Sequence, residues 1–124
     1  MSYRILIVED EAAVLAFAQA VLQRAGNEVF TARSVREANL VLEAHKEWDE
    51  LCLLVDVVME ESGIDFAQKV ISEHPSFRVL LMSGFTDDIV MTEPQQVARI
   101  AFLRKPFTKD SLVQAVEAVC LAGA

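Results

Sequence analysis

The feature that most constrains this chain is a set of short apolar runs that do not alternate with polar residues. Ile5–Val8, Leu51–Val55, Val79–Met82 and Ile100–Leu103 are runs of this kind, with a weaker one at Glu28–Ala32. A strand with one wet face reads apolar-polar-apolar. A continuous apolar run instead predicts a strand covered on both faces, as in a parallel sheet packed between helices. Helical patterns separate the runs. Val14, Phe17, Ala18, Val21 and Leu22 form one stripe, closed by Gly26. Ser34 and Glu37 make a capping box ahead of Ala38, Val41 and Leu42. Phe66, Val70 and Ile71 mark a third helix, which His74–Pro75 ends because the residue before proline avoids the helical region. A weaker pattern from Asp87 to Val97 contains Pro94, and Leu112, Val113, Val116, Val119 and Cys120 form the last, starting near Thr108. Strand and helix thus alternate five times, which predicts an α/β fold: a doubly wound, five-stranded parallel sheet with right-handed crossovers.

The length of 124 residues suits one domain, expected to span residues 1–124, and 53% hydrophobic residues with 4 Gly and 3 Pro exclude a disordered chain. Eleven Lys and Arg against nineteen Asp and Glu give a net charge of −8, which repels phosphate backbones and argues against direct nucleic-acid binding. The acidic triplet Glu9-Asp10-Glu11 interrupts the first apolar run too early for a signal peptide. The uncharged stretch from Ala12 to Gln23 is shorter than the roughly 20 residues needed to span a bilayer. Cys52 and Cys120 read as reduced core thiols, and the expectation is a soluble, cytoplasmic protein that does not enter membranes.

In doubly wound sheets, ligands bind beyond the carboxyl ends of the strands. There the chain places Glu9, Asp10 and Glu11 after the first strand and Asp56 after the third. Ser83 and Gly84 follow the fourth, and Arg104, Lys105 and Pro106 follow the fifth. Each of these alone is an ordinary loop, cap or surface residue. Together they bring three or more carboxylates, a hydroxyl and an ammonium to one end of the sheet. Clustered carboxylates raise one another's pKa unless a cation sits among them, so a hard divalent ion such as Mg²⁺ is expected, with Lys105 balancing the remaining charge.

Four pieces in order, Val8-Glu9-Asp10-Glu11, Asp56-x-x-Met59, Ser83-Gly84 and Phe102-x-x-Lys105-Pro106-Phe107, make the chain resemble the receiver domain of bacterial two-component response regulators over essentially its whole length. The resemblance implies a flavodoxin-like (βα)5 fold with strand order 2-1-3-4-5. It implies that Asp56 accepts a phosphoryl group from a phosphohistidine, with Mg²⁺ held by Glu9, Asp10, Asp56 and the backbone carbonyl of Val58. It further implies that Ser83 and Lys105 contact the phosphoryl oxygens, that Phe102 rotates on activation, and that the Lys105–Pro106 bond is cis. The partners it implies are a sensor histidine kinase or histidine phosphotransfer protein, and a downstream target or fused output domain reached through the face of the fourth helix, fifth strand and fifth helix. The chain is expected to be a switch rather than a turnover enzyme, either stand-alone or part of a larger protein. Val58 and Phe85, two residues beyond Asp56 and Ser83, are the expected tuners of dephosphorylation; neither activates water, so slow hydrolysis is expected.

The chain departs from the family pattern at Glu60, where proline is usual, and at Gly63, which comes one residue early and shortens the loop after Asp56. Val97-Ala98-Arg99 also replaces the usual Gly-Ala pair. Rival readings fit less well. A haloacid-dehalogenase-type phosphatase needs a second Asp where Val58 stands, and a mononucleotide-binding loop is incompatible with the charge of Glu9-Asp10-Glu11. A phosphorylation-independent interaction module is the remaining alternative. His45 and His74 have no triad or metal spacing and are expected at the surface.

Overall fold

All five apolar runs form strands, here β1 (Arg4–Val8), β2 (Glu28–Ala32), β3 (Cys52–Asp56), β4 (Arg78–Ser83) and β5 (Ile100–Arg104). The computed structural model describes residues 2–84 and 100–121, and the pattern from Asp87 to Val97, like Phe85, lies outside the described residues. The described helices are α1 (Ala12–Arg24), α2 (Val35–Ala44), α3 (Gly63–Glu73) and α4 (Lys109–Leu121). The strands form one parallel sheet in the order β2-β1-β3-β4-β5. No described helix is long and apolar enough to cross a membrane.

Covering both sheet faces explains the unbroken apolarity of the central strands. Along β1 and β3, Leu6, Val8, Leu53 and Val55 face α2 and α3, where they meet Ala38, Phe66 and Val70. Ile5, Ile7, Cys52 and Leu54 face α1 and α4, against Leu15, Ala18, Leu112 and Val116. Each buried aliphatic side chain of this kind contributes about 1.5–3 kcal/mol. The edge strands β2 and β5 are only half covered, which is why β2 reads weakly.

The helix ends follow their local chemistry. Gly26, at φ 97°, closes α1 with two bonds that define a Schellman turn, Gly26 N–H to the Gln23 carbonyl and Asn27 N–H to that of Leu22. Ser34 Oγ accepts the Glu37 N–H at 3.0 Å, and the Glu37 carboxylate accepts the N–H of Arg33, one residue before the cap. Thr108 and Ser111 exchange side-chain and backbone bonds at the start of α4. The α1 stripe differs from the expected one. Leu15 is buried and Phe17 is 44% exposed, because Leu15, Ala18 and Leu22 define the inward face and Phe17 stands beside it, 6.1 Å from Phe107. The histidines are also not simple surface residues. Both are half-buried, with His45 stacked on Trp48 at 4.1 Å and His74 on Phe77 at 4.5 Å.

Candidate functional site

Glu9 leaves the end of β1 directly into the interior, and its side chain is fully buried. Its backbone is fixed by the bond from Glu9 N–H to the Ala32 carbonyl, which extends the pairing of β1 with β2. Both carboxylate oxygens are engaged: Oε1 accepts from Lys105 Nζ at 2.8 Å, and Oε2 from the Glu11 backbone N–H at 3.0 Å. A buried carboxylate satisfied at both oxygens is tolerable where an unpaired one would not be. Asp10 faces outward, its carbonyl held by Arg33 Nη2 at 3.2 Å.

Asp56 is the last residue of β3 and is 6% exposed. Lys105 Nζ lies 3.3 Å from its Oδ1, and the Val58 backbone N–H lies 3.4 Å from the same oxygen. The β3 ladder continues past it, with Val57 N–H donating to the Met82 carbonyl at 2.9 Å. The next residue, Val58, is 60% exposed and stands at the mouth of the site. Ser83 ends β4 and is buried, and its carbonyl accepts the Lys105 backbone N–H at 2.7 Å, tying the two cationic-side strands together just above the sheet. The Lys105–Pro106 peptide is cis. Phe102 is half-buried on the face that carries α2 and α3.

The electrostatics follow from this crowding. Burial pushes the Glu9 and Asp56 carboxyls above their ordinary range, and the Lys105 ammonium partly opposes it in each case. Burial alone would lower Lys105, but the carboxylates of Glu9 and Asp56 outweigh it and hold the ammonium above the ordinary lysine range. One ammonium faces two buried carboxylates and a third at the surface. Glu9, Asp10 and Asp56 each offer an oxygen within 4.8 Å of the others, a set of hard donors on a partly open pocket that fits a divalent cation such as Mg²⁺.

Gly63 is a site-forming residue whose role the sequence did not announce. A Cβ there would lie 2.1 Å from the Asp56 carbonyl oxygen, so only glycine lets α3 start this close to the end of β3. Its N–H also reaches the Val57 carbonyl at 3.3 Å, and Ser62 Oγ caps the helix by accepting the Asp65 N–H. Sequence spacing marked Gly63 only as the end of a shortened loop.

The parallel sheet in the order β2-β1-β3-β4-β5 is that of a receiver domain, and the comparisons with known proteins agree. The family model described as "Response regulator receiver domain" matches residues 5–117, and the chain belongs to that family. Such domains are the signalling modules of two-component systems. The chain is 28% identical over 121 residues to the chemotaxis protein CheY of Thermotoga maritima, covering 96% of this chain and 98% of that one. It is 28% identical over 109 residues to the alginate biosynthesis transcriptional regulatory protein AlgB of Pseudomonas aeruginosa, covering 88% of this chain but only 24% of that regulator. Among solved structures, the chemotaxis response regulator CheY4 of Vibrio cholerae superposes with a TM-score of 0.80 at 27% identity, covering 96% of this chain and 99% of that one.

Proposed function

We propose that residues 1–124 form one receiver domain in which Asp56 accepts a phosphoryl group from a phosphohistidine of a sensor kinase or histidine phosphotransfer protein. The observation that carries this reading is the placement of the Asp56 carboxylate 3.3 Å from Lys105 Nζ, inside the Glu9–Asp10–Asp56 cluster. In the transfer, an Asp56 oxygen attacks phosphorus in line, the phosphorus–nitrogen bond to the donor imidazole breaks, and the imidazole leaves. Lys105 supplies positive charge to the phosphoryl oxygens as they approach, moving from its resting contacts with Glu9 and Asp56. Glu9, Asp10, Asp56 and the Val58 carbonyl are the groups that would hold Mg²⁺. That ion, when bound, neutralises charge on the transferring group.

The Ser83 hydroxyl is the group that follows the new charge on Asp56, and Phe102 is the aromatic that reorients with it. The output is a changed face around β5 and α4, read by a downstream protein or a fused output domain in the cytoplasm, without direct binding to nucleic acid or membrane. The domain promotes only its own phosphorylation and a slow hydrolysis, because Val58 and Phe85, the residues two beyond Asp56 and Ser83 in sequence, are apolar and cannot activate water. Incubation with a small phosphodonor and Mg²⁺ tests the proposal. The expected result is a phosphoryl mass increment that Asp56→Asn abolishes. An unmodified wild-type protein under these conditions would instead favour the phosphorylation-independent module.

A further inference from the structure

At the other end of the sheet, two thiols far apart in sequence meet. Cys52 opens β3 and is 2% exposed, while Cys120 lies near the end of α4 and is half-buried. Strand alternation turns Cys52 toward the face on which α4 packs, with Val116 and Val119 beside Cys120. The two side chains belong to one packed cluster and lie close enough to perturb each other's ionisation. Both line a cleft of about 330 Å³ that also exposes Tyr3, Ser76 and Arg78 to solvent.

Two arginines line this cleft: Arg4 pairs with Glu28 at 2.9 Å, and Arg78 is the one whose charge acts on both thiols. Its Nη1 donates to the carbonyls of Ser76 and Phe77, while its Nε is buried without a hydrogen-bond partner. The two thiols are not equivalent. The neighbouring Cys52 thiol and then the Arg78 charge pull Cys120 below the ordinary thiol range, against the effect of its burial. The neighbouring Cys120 thiol and full burial push Cys52 well above it, which favours the protonated form. A half-buried thiol whose ionisation a nearby cation favours, with a fully buried second thiol beside it, is the arrangement of an attacking and a resolving cysteine.

We infer that Cys120 and Cys52 form a peroxide-reactive dithiol site that closes to an intrachain disulfide between α4 and β3. The Cys120 thiolate attacks one oxygen of a hydroperoxide. A sulfur–oxygen bond forms, the oxygen–oxygen bond breaks, and the leaving oxygen takes a proton from solvent, leaving Cys120 as a sulfenic acid. Cys52 sulfur then attacks Cys120 sulfur, the sulfur–oxygen bond breaks, and the Cys52 proton leaves with the hydroxyl as water. Two thiols lose two electrons and the peroxide gains them. This chemistry needs neither Asp56 nor a metal, so it stands or falls separately from the phosphoryl reading.

The test uses the reduced full chain and hydrogen peroxide. Near-stoichiometric peroxide is expected to remove both titratable thiols and lower the intact mass by two hydrogen atoms, reversibly on reduction. An unreduced digest of the wild type then yields the peptide of Cys52 joined to that of Cys120, a readout that needs no variant to fold. Cys52→Ala is expected to leave a Cys120 sulfenic acid that dimedone captures, whereas Cys120→Ala leaves the Cys52 thiol unoxidised. Before oxidation, iodoacetamide should label Cys120 at least about tenfold faster than Cys52. The inference is overturned if both thiols survive excess peroxide, if the only disulfide formed joins two chains, or if Cys52 is oxidised equally fast in Cys120→Ala.

Discussion

Asp56 and Cys52 sit at opposite ends of the same five-residue strand, both buried, and their surroundings differ in kind. At the Asp56 end the buried groups are carboxyls facing an ammonium: Lys105, just beyond β5, binds Glu9 at 2.8 Å and Asp56 at 3.3 Å. At the Cys52 end the buried group is a thiol that shares a cleft with the half-buried Cys120 and with Arg78. A single rigid strand therefore carries two reactive ends. What distinguishes them is whether the neighbouring strands bring full charges together, which makes the first end costly to assemble and the second cheap.

The largest expected effect breaks the charged end alone. Lys105→Ala leaves the fully buried Glu9 without its cation and should cost about 3 kcal/mol in urea unfolding. Adding Glu9→Leu should recover part of that loss, and Cys120 labelling in the folded protein should stay at its wild-type rate. A loss below about 1 kcal/mol would mean that the pair is far better solvated than its burial indicates. Gly63→Ala comes next. The added Cβ has to push α3 away from the Asp56 carbonyl, at about 2–3 kcal/mol, with NMR shifts concentrated at Val57 and Val58.

Metal sharpens the contrast from the other side. Mg²⁺ at a hundred times its dissociation constant should stabilise the protein by about 2.7 kcal/mol, read as a rise in melting temperature. Asp10→Asn should remove most of that rise, and Cys52→Ala none of it. Smaller still, Val58→Asn combined with Phe85→Glu should speed hydrolysis of phosphorylated Asp56 at least about tenfold, near 1.4 kcal/mol of barrier. An unchanged half-life would show that these positions do not govern access of water. Smallest is Ser34→Ala. Losing the bond to Glu37 N–H at the start of α2 should cost about 1 kcal/mol in thermal unfolding, leaving phosphorylation and thiol oxidation as they are.

Much of the architecture is legible because burial on two faces writes itself into composition. The expected strands match the observed ones to within a residue or two at each end, and β2 matches as Glu28–Ala32. The mismatches share a cause. Asp56, Ser83 and Arg104 belong to their strands, since backbone pairing in a parallel ladder continues wherever partners are in register, whatever the side chain. Phe17 was misplaced because an apolar stripe wider than the buried face leaves its margin exposed. At the site, Glu9, Asp10, Asp56 and Lys105 were readable as polar residues following apolar runs. Their pairing was not: the resting partner of Lys105 at closest range is Glu9, a contact spanning most of the chain. The close approach of Gly63 to Asp56 and the meeting of Cys52 with Cys120 were equally silent, since packing distance between elements leaves no periodic trace.

The central position of β3 sets a clock for the molecule. It pairs with β1 on one side and β4 on the other, and helices cover both its faces, whereas β2 and β5 each have one neighbour. Amides of Leu53, Leu54 and Val55 should therefore exchange with deuterium only when the whole domain opens, while those of the edge strands exchange through smaller and more frequent openings. Asp56 is the last residue of that central strand. A negative charge added there, as the proposed phosphorylation would add it, should meet a fixed platform, and the displacement is expected at the edge strand β5 rather than in β3.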